Sequence, residues 1–218
     1  MALYTVARDY EHEIVIEKSK FICTLKKVAS EEEAQDFIKM MKKKYWNATH
    51  NCSAYIIGTK GLAERSNDDG EPSGTAGLPM LEVLRKNELH NVVAIVTRYF
   101  GGIKLGAGGL VRAYTNSVVE ALNEAGIAEK ILMGTFSFKW DLNDVGRVLN
   151  KLYSQNLFEV TDVEYSNRAK IYLTFKDCEK IDIENWLTEN LQKSIELEKE
   201  FENYLEKPKE KAGEKNEV

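Results

Sequence analysis

Hydrophobic and polar residues alternate along the opening of the chain with the periods of strands and of a helix. The segments 13–18 and 21–28 alternate residue by residue, which predicts two paired strands. Ser30 followed by Glu33 matches a capping box, which marks the start of a helix. The apolar positions of that predicted helix are Ala34, Phe37, Ile38, Met41 and Tyr45. The chain is therefore predicted to open as strand, strand, helix.

Apolar runs and turn residues also place the elements in the middle of the chain. Residues 53–57 predict a short strand, and residues 92–96 are apolar on both faces, as in a central strand. Pro79 suits the first turn of a short helix. From Leu110 onward the apolar residues keep helical spacing until Gly126, a residue type typical of helix C-termini, so a long helix is predicted there.

A second group of elements begins near residue 129. It comprises strand 131–140, helix 142–153, strands 157–165 and 169–175, helix 181–191 and a last strand from 194 toward 201. The order β-α-β-β-α-β is that of ferredoxin-like domains. We therefore predict an α+β protein with one domain at 1–127, a ferredoxin-like domain at 128–205 and a disordered charged tail at 206–218.

Charge is distributed unevenly over the 218 residues, whose net charge is −5. Residues 1–125 contain 16 basic and 16 acidic residues, so the negative excess lies wholly in 126–218. Strong RNA-binding domains usually carry a basic excess. Any nucleic-acid footprint on this chain is therefore predicted to be a local patch on a balanced domain.

Composition also bears on the compartment. No apolar run approaches the roughly 18 residues of a membrane span, and the N-terminal residues have no apolar signal-peptide core, so a cytoplasmic protein is expected. Cys23, Cys52 and Cys178 are odd in number and far apart. This spacing argues against a disulfide framework and predicts reduced thiols.

Two polar segments carry eight of the fourteen glycines: residues 64–77, the first loop, and residues 98–109, the second loop. Glycine allows close backbone approach and positive φ at a cost in folding entropy. Clustered with charged residues, it predicts two shaped loops that meet at one recognition surface.

These same loops resemble the signature of the IMPACT family, whose bacterial members are called YigZ-like. The resemblance is carried by residues 66–77 and 96–106, with 18–22 and 48–52 fitting the same pattern, and it covers residues 1–127 well. It implies an N-terminal domain like the second domain of ribosomal protein S5, and a C-terminal domain resembling the last domain of a translational elongation factor. Eukaryotic relatives are implicated in regulating translation initiation through protein partners.

The second loop leads into the N-terminus of the long predicted helix, where backbone N–H groups and the helix dipole favour an anion. Arg98, Lys104 and Arg112 could supply positive charge, and Tyr99 and Phe100 could stack on bases. The spacing of the glycines is neither that of a Walker motif nor that of a dinucleotide fingerprint. The alternative is that they only form a tight strand-to-helix connection.

The first loop offers Asp68, Asp69 and Glu71 within four residues. They could hold Mg²⁺ or act as acid and base. The alternative is structural, with Asp68 or Asp69 forming an ion pair with Arg98 or Arg112. We favour a structural or recognition role, and we predict neither a bound metal nor a cofactor. His50 and Cys52 are not predicted to form a catalytic pair, because buried thiols are usually inert.

We therefore predict a non-enzymatic binding protein that acts on RNA, the ribosome or a translation-related protein, and not on a membrane. An enzyme for a phosphorylated or nucleotide substrate and a pure protein-interaction module remain alternatives. The predicted ligand- or anion-binding residues are Asp68, Asp69, Glu71, Ser73, Thr75, Arg98, Tyr99, Gly101, Gly102, Lys104, Gly106, Gly108, Gly109 and Arg112.

Overall fold

The computed structural model describes residues 3–58 and 63–209, which form two compact units. The first unit contains the described residues of 1–130 together with 206–209, and the second is Ile131–Leu205. Each unit combines helices with antiparallel strands. Across the described ranges, no helix is long and apolar enough to cross a membrane.

In the described part of the first unit, nine elements precede strand β7. They are β1 (Leu3–Val6), β2 (Tyr10–Ile16), β3 (Ser19–Lys27), α1 (Glu31–Lys44), β4 (His50–Ile57), β5 (Ala63–Asn67), α2 (Gly77–Lys86), β6 (Val92–Tyr99) and α3 (Gly106–Ala125). Strand β7 (Ile127–Trp140) pairs with β1 over its first four residues.

The main sheet of this unit has the order β2-β3-β6-β4-β5 and is antiparallel throughout. Its central strand β6 is buried on both faces, as its apolar run predicts. Val92, Ala94 and Val96 face α2 and α3, whereas Val93 and Ile95 face α1. Side chains alternate between the faces of a strand, so consecutive residues of β6 belong to two different cores.

The predicted helix starts and stops are largely confirmed. The Ser30 hydroxyl accepts the Glu33 N–H at 3.1 Å, while the Glu33 carboxylate accepts the N–H of Ala29 at 2.8 Å. Helix α3 begins at Gly106, four residues before the predicted start at Leu110, because its glycines take part in the first helical turn. Gly126 ends it with φ of 75°, as predicted.

Two strands of the first unit were not predicted. Strand β1 has only four residues, and β5 has the polar sequence Ala-Glu-Arg-Ser-Asn at the edge of the sheet. Neither shows the alternating pattern on which strand prediction depends. Both are held by main-chain pairing, β1 with β7 and β5 with β4.

The second unit has the predicted order of elements. After β7 come α4 (Val145–Tyr153), β8 (Glu159–Tyr165), β9 (Ala169–Lys176), a 3₁₀ turn (Asp177–Glu179), α5 (Lys180–Leu191) and β10 (Glu198–Pro208). Strand β9 lies between β7 and β8, and β10 pairs with β7. The core joins Val148, Leu152 and Leu187 of the helices to Ile171 and Leu173 of β9.

The predicted tail needs a correction. Glu206–Pro208, the first part of the segment 206–218, belongs to β10, and the N–H of Lys209 donates to the carbonyl of Ile127 at 2.7 Å. Glu206 also forms an ion pair with Lys27. The charged composition suggested disorder, but main-chain pairing needs no apolar side chains. Residues 210–218 lie outside the described residues.

Gly101 allows the second loop to pack closely against the turn between β2 and β3. A Cβ at this position would lie 2.0 Å from the backbone carbon of Lys18, whereas one at Gly108 would meet only the Arg112 side chain, at 3.8 Å. We expect Gly101→Ala to lower the free energy of unfolding by roughly 1–3 kcal/mol or more. Gly108→Ala, the control in α3, should leave it unchanged or raise it by about 0.5–1 kcal/mol. Urea denaturation measures both, and equal stabilities would contradict the close approach.

Candidate functional site

The two glycine-rich loops meet at a cleft of about 460 Å³ in the first unit, which confirms that they are adjacent. The first loop contributes Glu71 and Pro72, and the second contributes Phe100, Lys104 and the first turn of α3. His50, at the start of β4, completes the polar lining. We call this site the cleft.

A buried ion pair joins the loops beneath the cleft. Arg98 Nη1 donates to Glu71 Oε1 at 2.6 Å, and the Tyr114 hydroxyl donates to the same oxygen at 2.9 Å. The side chains of Arg98 and Glu71 are 6% and 3% exposed. Burial raises the pKa of Tyr114, so its hydroxyl stays a donor. Buried charges are tolerated when they are paired and hydrogen-bonded, as these are.

This pairing corrects the predicted role of Arg98. Its Nη2 lies 3.4 Å from Ser19 Oγ, and its guanidinium lies against the rings of Phe21 and Phe100, 5.3 and 5.6 Å from their centroids. The Nη1 and Nη2 groups of Arg98 are thus held by internal partners and are not free to contact phosphate at the surface. The predicted structural ion pair exists, but Glu71 forms it instead of Asp68 or Asp69.

Asp68 shapes the first loop from inside. Its carboxylate accepts the backbone N–H groups of Gly74 at 2.8 Å, Ala76 at 3.1 Å and Gly77 at 2.8 Å. Two of these donors lie at the start of α2, so Asp68 satisfies N–H groups that a helix leaves without partners. Gly77 fits here because a Cβ would lie 2.6 Å from the backbone nitrogen of Asn67.

Asp69 also has internal partners. One carboxylate oxygen forms an ion pair with Lys42, and the other accepts the N–H of Asn51 at 2.6 Å. Asp68, Asp69 and Glu71 therefore diverge toward different partners. Throughout 3–58 and 63–209, no group of three His, Cys, Asp or Glu side chains is arranged to hold a metal ion.

The two hydroxyls of the first loop differ in access. The Thr75 hydroxyl is buried and donates to the carbonyl of Pro72 at 2.7 Å, so it is not available to an anion. Ser73 is exposed. Thr75 is therefore a turn-forming residue, which corrects its predicted ligand role.

His50 is a residue of the cleft that the sequence did not identify. Its Nδ1 donates to the carbonyl of Asp69 at 2.9 Å, because a carbonyl oxygen can only accept. Its Nε2 lies 3.8 Å from Glu71 Oε1. The fit of residues 48–52 to the family pattern is the signal that could have pointed to this histidine.

Cys52 is an inert neighbour of this network. Its thiol lies 3.0 Å from the Asp68 carbonyl and 3.3 Å from the Tyr114 hydroxyl, and burial raises the pKa of Cys52 to about 12. The thiol therefore stays protonated near neutral pH. Nothing in these contacts joins Cys52 to His50 as a nucleophile and its base.

Of the two aromatic residues of the second loop that could stack on bases, Phe100 lines the cleft and Tyr99 does not. The Tyr99 hydroxyl donates to Asn47 at 3.0 Å, and strand alternation puts Tyr99 on the α1 face, opposite Arg98. Tyr99 therefore does not share the cleft with Arg98 and Lys104, which corrects the prediction. Phe100 lines the cleft with 47% of its surface exposed.

Two exposed cations lie at the start of α3, Lys104 in the second loop and Arg112 in the helix itself. Lys104 lines the cleft, and Lys104 and Arg112 both line an adjoining depression of about 440 Å³. In the part of the chain that the structure describes, no side chain caps the N-terminus of α3. Gly102 and Gly106 have φ of 86° and 69°, values that favour glycine. The glycines thus form the connection between β6 and α3. Lys104 and Arg112 line the same depression as Gly109 of this segment.

The three thiols should differ sharply in reactivity, because the thiolate is the nucleophile. Cys178 is exposed, whereas Cys23 and Cys52 are buried and burial raises the pKa of both. We expect one thiol of the native protein to react rapidly with a disulfide reagent at pH 8, and all three in denaturant. Cys178→Ser should abolish the rapid phase. Rapid reaction of a second thiol would contradict the buried position of Cys23 or of Cys52.

Breaking the buried ion pair should be costly. Glu71→Gln leaves the Arg98 guanidinium buried without its counter-charge, and we expect the free energy of unfolding to fall by about 3–5 kcal/mol. The control is Lys39→Ala, which removes the exposed pair of Lys39 with Asp36 and should cost less than about 0.5 kcal/mol. Urea denaturation measures both. Similar losses would mean that the buried pair contributes no more than a surface pair.

Comparison with known proteins gives consistent results. A family model described as the Impact N-terminal domain matches residues 17–122. The IMPACT family member YvyE of Bacillus subtilis (strain 168) is 48% identical over 204 residues, which cover 94% of each chain. The IMPACT family member YigZ of Escherichia coli (strain K12) is 40% identical over 111 residues, which cover 50% of this chain and 54% of that protein.

A solved crystal structure of a hypothetical protein is similar in shape over most of the chain. It is 27% identical with a TM-score of 0.58, and the match covers 90% of this chain and 96% of that one. The similarity to YvyE extends over nearly the whole of both proteins. The two loops whose sequences predict the family lie together at the cleft. The chain belongs to the IMPACT family.

Proposed function

We propose that this protein is a non-enzymatic, cytoplasmic binding protein that contacts RNA or the ribosome and takes part in regulating translation. The observation that carries the proposal is the exposed surface at the start of α3. There, Lys104, Arg112 and a helix N-terminus without a side-chain cap lie beside the exposed ring of Phe100. Cations with helix N–H groups favour phosphates, and an exposed aromatic ring favours bases.

Family membership supports the link to translation, since eukaryotic members are implicated in control of translation initiation. We further propose that the second unit is ferredoxin-like. Its order β-α-β-β-α-β supports this, as does the pairing of β7 with both β9 and β10. For the first unit we propose the likeness to the second domain of ribosomal protein S5 that the sequence implies. Likeness of fold alone is an analogy and does not assign function.

The alternative of an enzyme for a phosphorylated substrate draws less support from the geometry. The carboxylates of Asp68 and Asp69 accept hydrogen bonds from the protein's own backbone, and Asp69 also pairs with Lys42. A metal-assisted mechanism would need these oxygens for other ligands. The alternative of a protein-interaction module stays open, and the experiment that follows separates it from RNA binding.

Removing the two exposed cations should weaken RNA binding without dependence on base sequence. Lys104→Ala and Arg112→Ala should each lower affinity for single-stranded RNA and reduce the slope of log K against log salt by about 0.7 for each phosphate that is no longer neutralised. The matched control is Lys43→Ala, an exposed lysine of α1 away from the cleft. The measurement is fluorescence titration of labelled single-stranded RNA at several salt concentrations.

RNA binding by the wild-type protein decides whether the proposal as a whole stands. Salt-sensitive binding to RNA or to ribosomal subunits would support it. If the wild type shows no such binding even at low ionic strength, the protein-interaction alternative replaces RNA binding. Arg98→Ala is left out of this series because it removes the buried ion pair, and unfolding of the variant could then be mistaken for loss of RNA binding.

A further inference from the structure

We propose that the cleft binds the base of one unpaired guanine nucleotide in single-stranded RNA. Phe100 would stack on the base, Glu71 and His50 would accept hydrogen bonds from its pairing edge, and Lys104 with the first turn of α3 would contact its phosphate. This inference rests on the proposed function and specifies its ligand. The volume of the cleft, about 460 Å³, lies within the range of roughly 300–1,000 Å³ that small-molecule sites occupy.

The aromatic wall of the cleft is held in place from within. The Arg98 guanidinium lies against both Phe21 and Phe100, and Arg98 itself is fixed by Glu71. Phe100 is therefore positioned by a buried ion pair while nearly half of its surface stays exposed. A rigid, exposed ring is a stacking platform for a base, and such stacking is worth about 1–3 kcal/mol per base. Pro72 and Leu105 add apolar walls.

The polar lining of the cleft includes two acceptors, His50 and Glu71. His50 Nδ1 donates to the Asp69 carbonyl, so in the neutral ring Nε2 is an acceptor. Glu71 Oε1 already accepts from Arg98 and Tyr114, and Oε2 makes no hydrogen bond in the described part of the chain. The cleft thus offers one acceptor from Glu71 and one from His50, and His50 Nε2 lies 3.8 Å from the occupied oxygen Oε1 of the same carboxylate.

Two neighbouring acceptors select among the four bases. Guanine presents the N1–H and the N2 amino group on adjacent atoms of its pairing edge, and both are donors. Adenine and cytosine present a single amino group there, and uracil a single ring N–H. A buried acceptor that stays unpaired costs binding free energy, so a base with two donors is favoured.

Arg98 adds a donor without a partner to the same cleft. Arg98 Nε is buried and makes no hydrogen bond within residues 3–58 and 63–209, although Arg98 lines the cleft. The O6 of guanine is an acceptor next to N1, so the pattern of one donor and two acceptors complements that edge. Lys104 and Gly106 contribute to the lining beside them, where the phosphate of the same nucleotide would lie.

The test uses three RNA heptamers of uridine, in which the central residue is uridine, guanosine or inosine. Inosine keeps N1–H and lacks the N2 amino group. We expect the wild-type protein to bind the guanosine heptamer about tenfold more tightly than the uridine heptamer, with inosine between them. Phe100→Ala should weaken binding of all three, and Lys43→Ala should change none.

Two variants locate the base-reading groups. His50→Ala should remove the preference for guanosine over inosine or uridine, and Glu71→Gln should do the same if thermal melting shows that it stays folded. His50→Ala keeps the test valid if Glu71→Gln unfolds. Salt-sensitive binding of all three heptamers with equal affinity would overturn the guanine site and leave RNA binding standing. If none of the three heptamers binds, the guanine site and the proposed RNA binding are both wrong.

Discussion

The buried ion pair between Glu71 and Arg98 is the interaction on which the candidate site depends. It joins the first loop to β6, and Tyr114 adds α3 to the same carboxylate. Two charges taken out of water are costly, and each is compensated only by the other and by the hydrogen bonds around them. Neither loop can therefore move without leaving a buried charge unpaired. The cleft keeps its shape because its floor cannot rearrange cheaply.

Asp68 and Asp69 of the first loop also stabilise the fold from within, by accepting hydrogen bonds from backbone N–H groups. Asp68 accepts three N–H groups and Asp69 accepts the N–H of Asn51, so the loop is folded around its own carboxylates. A segment dense in acidic residues invites interpretation as a metal site. In this molecule the requirement that buried N–H groups find acceptors explains the same residues. What remains for a ligand is the set of groups that the fold leaves open.

Much of the fold could be predicted from the sequence, because the periodic elements bury one face and repeat their apolar residues accordingly. The edge strands β1 and β5 could not, since their stability comes from main-chain pairing that no side-chain pattern reports. Composition predicted which two loops form the site, but not the contacts within it. Period-two alternation along β6 places Arg98 on the face of Val96 and Tyr99 on the other, a signal that could have predicted which of them is buried toward α3. The partner of Arg98 could not be deduced, because Glu71 lies in a loop without periodicity.

The balance of charge in residues 1–125 limits how the RNA binding that we propose could work. Equal numbers of acidic and basic residues give no strong long-range field, so RNA would not be drawn in from a distance. Under the proposed function, attraction would come from a few groups at short range, chiefly Lys104, Arg112 and the N–H groups of α3. A small number of phosphate contacts gives modest affinity with a shallow dependence on salt. Under that limit, specificity has to arise from short-range fit, and the rigid, acceptor-lined cleft beside Phe100 is where the fold concentrates groups that can supply it.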